Sequence, residues 1–211
     1  MQNPVIIIGA QKLGTAVLDI FNSNNVIVYC FLDDSQKLQQ QEVNNVAVMS
    51  STEDGEFLKM IGKKCDVFVA MEDSAARKGM IKLLKEEYEA VPVNAIHRFS
   101  AVSENAWLGH GNMVAAGAII NNNAKIGNNC LIHSRALVDS NTELGNFVEV
   151  GPGAIINSEV VIEEGAFIGT GAVVVAGVKI GKNARVGAGS VVVANVPAKA
   201  TVFGNPAAPV K

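Results

Sequence analysis

The chain is poor in aromatics, which make up 5% of its 211 residues, with a single tryptophan. Histidine and cysteine occur only three times each. The cysteines, Cys30, Cys65 and Cys130, lie far apart and are odd in number, so a disulfide framework is excluded as the organising principle; they read as buried thiols in a reducing compartment. No apolar run approaches the ~18 residues that would cross a bilayer, and no basic leader precedes the first strand-like run. The expectation is therefore a protein without membrane insertion, in the cytoplasm. A net charge of −3 gives no electrostatic reason to expect nucleic acid as a partner.

What the chain does have is aliphatic residues at a fixed interval. From Val102 to Val192 a branched aliphatic falls at every sixth position: Val102, Leu108, Val114, Ile120, Ile126, Ile132, Val138, Leu144, Val150, Ile156, Ile162, Ile168, Val174, Ile180, Val186 and Val192. Two residues before most of them stands a small or short residue, from Ala106 through Ala118 and Ala136 to Ser190, with Asn112 the polar exception. Glycine often follows, as at Gly109, Gly127, Gly145, Gly151, Gly169, Gly181 and Gly187. Six matches neither the helical period nor an unbroken two-residue alternation. It matches a chain that makes a short strand, turns a corner and repeats, three repeats closing one triangular turn of a parallel β-helix. In a sandwich, turn signals would wander between about 8 and 12 residues.

The preceding residues alternate strand and helix. Val5 to Ala10 reads as a buried strand entering a turn, Leu13 to Asn24 as an amphipathic helix, and Val26 to Leu32 as a strand ending in Asp33 and Asp34. Residues 35–45 read as a loop, Val46 to Met49 as a short strand, Glu53 to Lys63 as a helix, Asp66 to Met71 as a strand, Ser74 to Tyr88 as a helix and Val91 to Ile96 as a last strand. This pattern predicts a small Rossmann-like α/β domain of mostly parallel strands over residues 1–96, followed by the β-helix over 97–211. The proline- and glycine-bearing tail, Val202 to Ala207, reads as a loop capping the open end of the stack.

Three groups of residues could carry chemistry. The turn Gly9-Ala10-Gln11-Lys12-Leu13-Gly14 sits where a strand meets a helix N-terminus, a place suited to phosphate, but Gln11 occupies the second glycine's position. Asp33 and Asp34, closing the second strand, suit a ribose or a base edge; a plain tight turn is the competing reading. Among the histidines, His97, His110 and His133, consecutive separations do not match the ~18-residue turn, so they are not expected to stack, and zinc is not expected. The polar group from Asp139 to Glu149 reads, taken alone, as a solvated outer face.

Taken together, Ile7-Ile8-Gly9-Ala10, Phe31-Leu32-Asp33-Asp34, Ile96-His97 before Ser100-Ala101-Val102-Ser103, the repeats, and Gly204-Asn205-Pro206-Ala207 resemble hexapeptide-repeat acyltransferases with a nucleotide-sugar domain in front. The likeness is to the UDP-amino-sugar N-acetyltransferases of bacillosamine-type biosynthesis. It implies a left-handed β-helix, a homotrimer, a nucleotide-sugar substrate held by Gly9, Gln11, Lys12, Leu13, Asp33 and Asp34, and acetyl-CoA as cosubstrate along Glu149, Ser158, Thr170 and Ala188, without a metal. The sequence departs from the family at its catalytic centre. Where the family reads Val-Asp-His-Asp, this chain reads Val138-Asp139-Ser140-Asn141, and Glu149 replaces a second histidine. A serine hydroxyl cannot accept the proton at neutral pH, so Glu149, then His133, are the candidates beside Ser140 for the catalytic position. Two rivals follow: a decayed homologue that binds nucleotide-sugar or acyl-CoA without turnover, and a β-helical metalloenzyme of the carbonic-anhydrase kind, which requires grouped histidines.

Overall fold

The computed structural model describes residues 3–210 and divides the chain into two compact units, one ending at Ala95 and one beginning at Ile96. In the first unit, β1 (Val5–Ile8), α1 (Lys12–Ser23), β2 (Val28–Leu32), β3 (Glu42–Val43), β4 (Val46–Ser50), α2 (Gly55–Leu58), β5 (Asp66–Val69) and α3 (Ser74–Tyr88) follow in order. The sheet order is β3-β4-β2-β1-β5, parallel except for β3 against β4. β1 is an unbroken apolar run because it is buried on both faces, as a central parallel strand must be. The chain moves outward from β1 to β2 and β4, then returns to β5 on the other side of β1. That reversal opens a crevice at the carboxyl ends of β1 and β5.

Four sequence expectations need correction here. Residues 35–45 are not all loop: Glu42–Val43 pairs antiparallel with β4 across Asn44 and Asn45, both with positive φ, as a tight two-residue hairpin demands. The helix expected over 53–63 is a single turn, Gly55–Leu58, capped by Asp54 and followed by the bridge Ile61–Cys65 around Gly62 (φ 75°). The strand expected over 91–96 is reduced to Ala95–Ile96, since Pro92 has no N–H for a ladder. The tail is not a capping loop but strand: Thr201–Gly204 pairs parallel with Arg185–Val186, and Ala207–Pro209 returns antiparallel on it.

The second unit is a left-handed parallel β-helix. Its two-residue strands form three sides, each paired with the strand 18 residues on, as in Ile119↔Leu137, Lys125↔Glu143 and Leu131↔Glu149. The aliphatic of each hexapeptide points inward, and the small residue two before it closes the corner. Together they form one core, from Val114 and Ala118 to Val186 and Val192. The corners share a backbone device: from Gly111 to Gly189 a residue with positive φ recurs at every sixth position. Most are glycine or asparagine, which tolerate that region, but Arg135, Phe147 and Glu159 also adopt it.

The three sides differ on their outer surfaces. The side made by Ala101, Ile119, Leu137, Ile155, Val173 and Val191 is apolar throughout. Trp107, Lys125, Glu143, Val161 and Lys179 form a mixed side, laced by Lys125–Glu143 (2.8 Å) and by Lys179 with the neighbouring Glu163 (2.7 Å). The cysteines are free and buried, and burial pushes the Cys30 thiol up to about 12, which keeps it protonated and inert. Among the described residues, no helix is long and apolar enough to cross a membrane.

Candidate active site

In the first unit, the crevice at the strand reversal is a cavity of about 430 Å³ lined by Gly9, Gln11, Asp33, Asp34, Ser35, Thr52 and the segment from Ala70 to Asp73 with Ala76. Its floor depends on two glycines. A Cβ on Gly9 (φ 105°) would lie 2.6 Å from the Ala70 carbonyl oxygen, and one on Gly14 would lie 2.0 Å from the Gly9 oxygen. The first and third glycines of the incomplete motif thus let β1, β5 and α1 converge. Gln11 caps α1 without a side-chain hydrogen bond and lines the cavity. Leu13 turns into the core, and Lys12 is exposed outside the lining.

The two aspartates have structural partners within the chain. Asp33, buried, accepts from the Ala10 N–H (2.7 Å) and the Ser35 N–H (2.8 Å), tying the β1 turn to the end of β2. Asp34, exposed at the rim, accepts from the Thr52 N–H (2.8 Å) and hydroxyl. Sequence reasoning missed Thr52 and the segment after β5. The signal available was Glu72-Asp73 at a strand-to-helix junction, where Asp73 caps α3 through the Ala76 N–H (2.7 Å).

In the β-helix, His133 and Glu149 come together: His133 Nε2 and Glu149 Oε1 are 3.1 Å apart, on adjacent turns, with both side chains about one-third exposed (27% and 35%). Ser140 is elsewhere. It follows the strand Leu137–Val138, at the next corner, with its N–H bonded to Asp139 Oδ1 (2.8 Å) and its carbonyl accepting from the Glu159 N–H. The Asn121 amide, then the Ser140 N–H, hold the Asp139 carboxyl below the usual range. Thr170 and Ala188 occupy the same corner column as one another, next to Gly169 and Gly187, whereas Ser158 shares the Ser140 column.

The corner beside His133 has a further property. Backbone hydrogen bonds between successive turns align His97, Ala115, His133, Gly151, Gly169, Gly187 and Phe203 in one column. This corrects the expectation that no two histidines share a face: His97 and His133 do, two turns apart with Ala115 between them. They do not converge. His97 is buried with Nδ1 accepting from the Phe99 N–H (3.0 Å), and among the described residues no group of three or more His, Cys, Asp or Glu could hold a metal. Beyond His133 the column carries no side chain for three turns, about 14 Å at ~4.8 Å per strand spacing. The Phe203 ring closes the far end over Gly187. The glycines are required: a Cβ on Gly151 would lie 2.8 Å from the Thr170 nitrogen, and one on Gly169 would lie 2.6 Å from that of Ala188.

A parallel sheet with a crevice at its strand reversal, followed by a six-residue-repeat coil with a column of glycines along one corner, is the architecture of the two-unit hexapeptide transferases. The bacterial transferase hexapeptide family matches residues 123–158 and 159–194, and the PglD N-terminal domain family matches residues 4–84. A variant of perosamine N-acetyltransferase from Caulobacter crescentus, solved with CoA and GDP-perosamine, is 31% identical over 99% of this chain and 97% of its own, with a TM-score of 0.90. The acetyltransferase domain of PglB from Neisseria gonorrhoeae, solved with acetyl coenzyme A, is 27% identical over the whole of both chains, with a TM-score of 0.91. WeeI from Acinetobacter baumannii is 27% identical over 99% of this chain and all of its own, with a TM-score of 0.87. Among curated proteins no sequence match is found. The chain belongs to the hexapeptide-repeat N-acetyltransferases that carry a PglD-type N-terminal domain, the perosamine- and bacillosamine-type enzymes.

Proposed function

We propose that this protein transfers an acetyl group from acetyl-CoA to an amino group of a nucleotide-linked sugar, as a cytoplasmic homotrimer serving surface-glycan assembly. The observation that carries the reading is the run of three glycines, Gly151, Gly169 and Gly187, between His133 and Phe203 along one corner. A pantetheine arm is thin, linear and rich in amides, and a corner stripped of side chains lets such an arm lie against backbone. The relatives solved with CoA, acetyl coenzyme A and GDP-perosamine support the same assignment. The nucleotide end of the substrate lies in the crevice lined by Gly9, Gln11, Asp33 and Asp34.

We read the trimer from where the family positions fall. Thr170 and Ala188 lie at one end of the apolar side, and Ser140 and Ser158 lie at the other, six residues or about 20 Å of extended chain away. When three apolar sides pack around a common axis, the first corner of each subunit meets the second corner of its neighbour, and the two sets face one slot. The apolar outer column, with Ile119 41% and Ile155 37% exposed in the single chain, is the surface such packing would bury.

The test is thiol release from acetyl-CoA with UDP-, GDP- and dTDP-linked amino sugars, run beside sedimentation. Turnover on at least one amino sugar by a trimeric species is expected. Ile155→Glu, placing a charge on the apolar side, should yield monomers and abolish turnover together. One observation favours a second reading: neither Ser140 nor Glu149 is an imidazole. A decayed homologue would shift its melting temperature with acetyl-CoA and nucleotide-sugar but release no thiol from any amine.

A further inference from the structure

We infer that the proton acceptor of this enzyme is His133, with Glu149 as its positioning residue, so that the catalytic imidazole has moved to a different strand and a different corner from the one at Ser140. The inference rests on the transferase reading and deepens it. Three observations bear on it. His133 stands at the head of the glycine column, one turn before Gly151, where the thioester end of an arm lying along the glycines would finish. Its Nε2 meets a carboxylate oxygen at 3.1 Å. Both groups are partly open to solvent and able to meet a substrate.

The chemistry of the pair is directional. A carboxylate only accepts, so the bond to Glu149 requires the proton on Nε2 and leaves the Nδ1 lone pair free to act. In the reaction the amine nitrogen attacks the thioester carbonyl carbon and forms the C–N bond. The nitrogen's proton passes to Nδ1, and the imidazolium is held by Glu149. The tetrahedral intermediate then collapses, the C–S bond breaks, and the sulfur takes the proton from the imidazolium. The products are the amide and CoA thiol, with His133 neutral again. Glu149, acting through His133, is not itself the acceptor, which reverses the order of preference that sequence reasoning gave the two.

The experiment uses the full-length protein with the amino sugar that gives turnover. His133→Ala should lower kcat by about 10²–10⁴-fold, the range of a general base, with little change in KM for acetyl-CoA, and added imidazole should restore part of the rate. His133→Asn keeps a polar side chain of similar reach and should be as slow, which separates chemistry from folding. Glu149→Gln should lose less, about 10-fold, and change the His133 ring-nitrogen signals away from the Nε2–H tautomer in ¹⁵N spectra; a merely structural glutamate would leave those signals unmoved. Turnover within about threefold of wild type in both His133 variants would overturn the assignment while leaving the transferase standing. Silence of the wild-type protein on every amine would overturn the transferase reading and this inference with it.

Discussion

The two units solve the same problem, holding neighbouring stretches of backbone together, in opposite ways. In the sheet unit, single side chains hold several segments at once. Asp33 alone ties the β1 turn to the residues after β2, Asp34 ties the same loop to Thr52, and the two glycines at 9 and 14 touch the same turn. In the coil, each residue answers only to the turn before and the turn after, through backbone bonds that repeat with the same partners. Damage should therefore spread in the first unit and stay local in the second. The chain carries its own reporters for the difference, because its one tryptophan, Trp107, lies in the coil and both tyrosines, Tyr29 and Tyr88, lie in the sheet unit.

The largest effect should come from Ile162→Ala in the middle of the coil. Ile162 is 1% exposed and packed in the shared core, so truncation should cost about 3–4 kcal/mol. Amide exchange should rise in the turns that carry Leu144 and Ile180 and stay at its wild-type value throughout residues 3–95. Exchange that rises equally everywhere would mean that the coil is not a sum of neighbouring turns.

Asp33→Ala comes next, at about 2–4 kcal/mol, because it orphans the buried Ala10 N–H and the Ser35 N–H. The tyrosine-reported transition should fall while the tryptophan-reported one holds. Nucleotide-sugar binding should vanish with the turn. A variant that folds within about 1 kcal/mol of wild type and still cannot bind would recast Asp33 as a ligand contact, and the contrast between buttress and site would dissolve.

Legibility differed between the units for a related reason. The coil was readable because a one-dimensional repeat writes its period directly into the chain: Val102 to Val192 needs no knowledge of register. The same period, applied fully, would also have found the His97–His133 column, since those residues lie two whole turns apart, and the His133–Glu149 diagonal, since 16 is one turn less two. Reading only consecutive histidines hid both. In the sheet unit, most of the element order and the two long helices were legible from alternation, α3 to the residue. The hydrogen bonds of Asp33 and Asp34 were not, because they depend on how strands far apart in sequence align. The Asn44-Asn45 turn was legible in principle and was lost within a polar stretch.

The smallest effect sharpens the comparison most, because it is a gain. Glu159 holds φ at 60° only because the repeat places a left-handed residue at that corner; its N–H bonds the Ser140 carbonyl one turn back, and the next turn repeats the bond at Gly177. An L-residue with a Cβ is disfavoured there by about 1–2 kcal/mol, partly offset on replacement by the greater unfolded-state freedom of glycine. Glu159→Gly should therefore stabilise the coil by about 0.5–1 kcal/mol, read by tryptophan fluorescence in denaturant, with the tyrosine transition unmoved. Glu159→Asn, which keeps a Cβ but tolerates the same region, should fall between the two. If glycine instead destabilises, the carboxylate makes a contact that outweighs the backbone, and the corners are set by side chains as well as by the repeat.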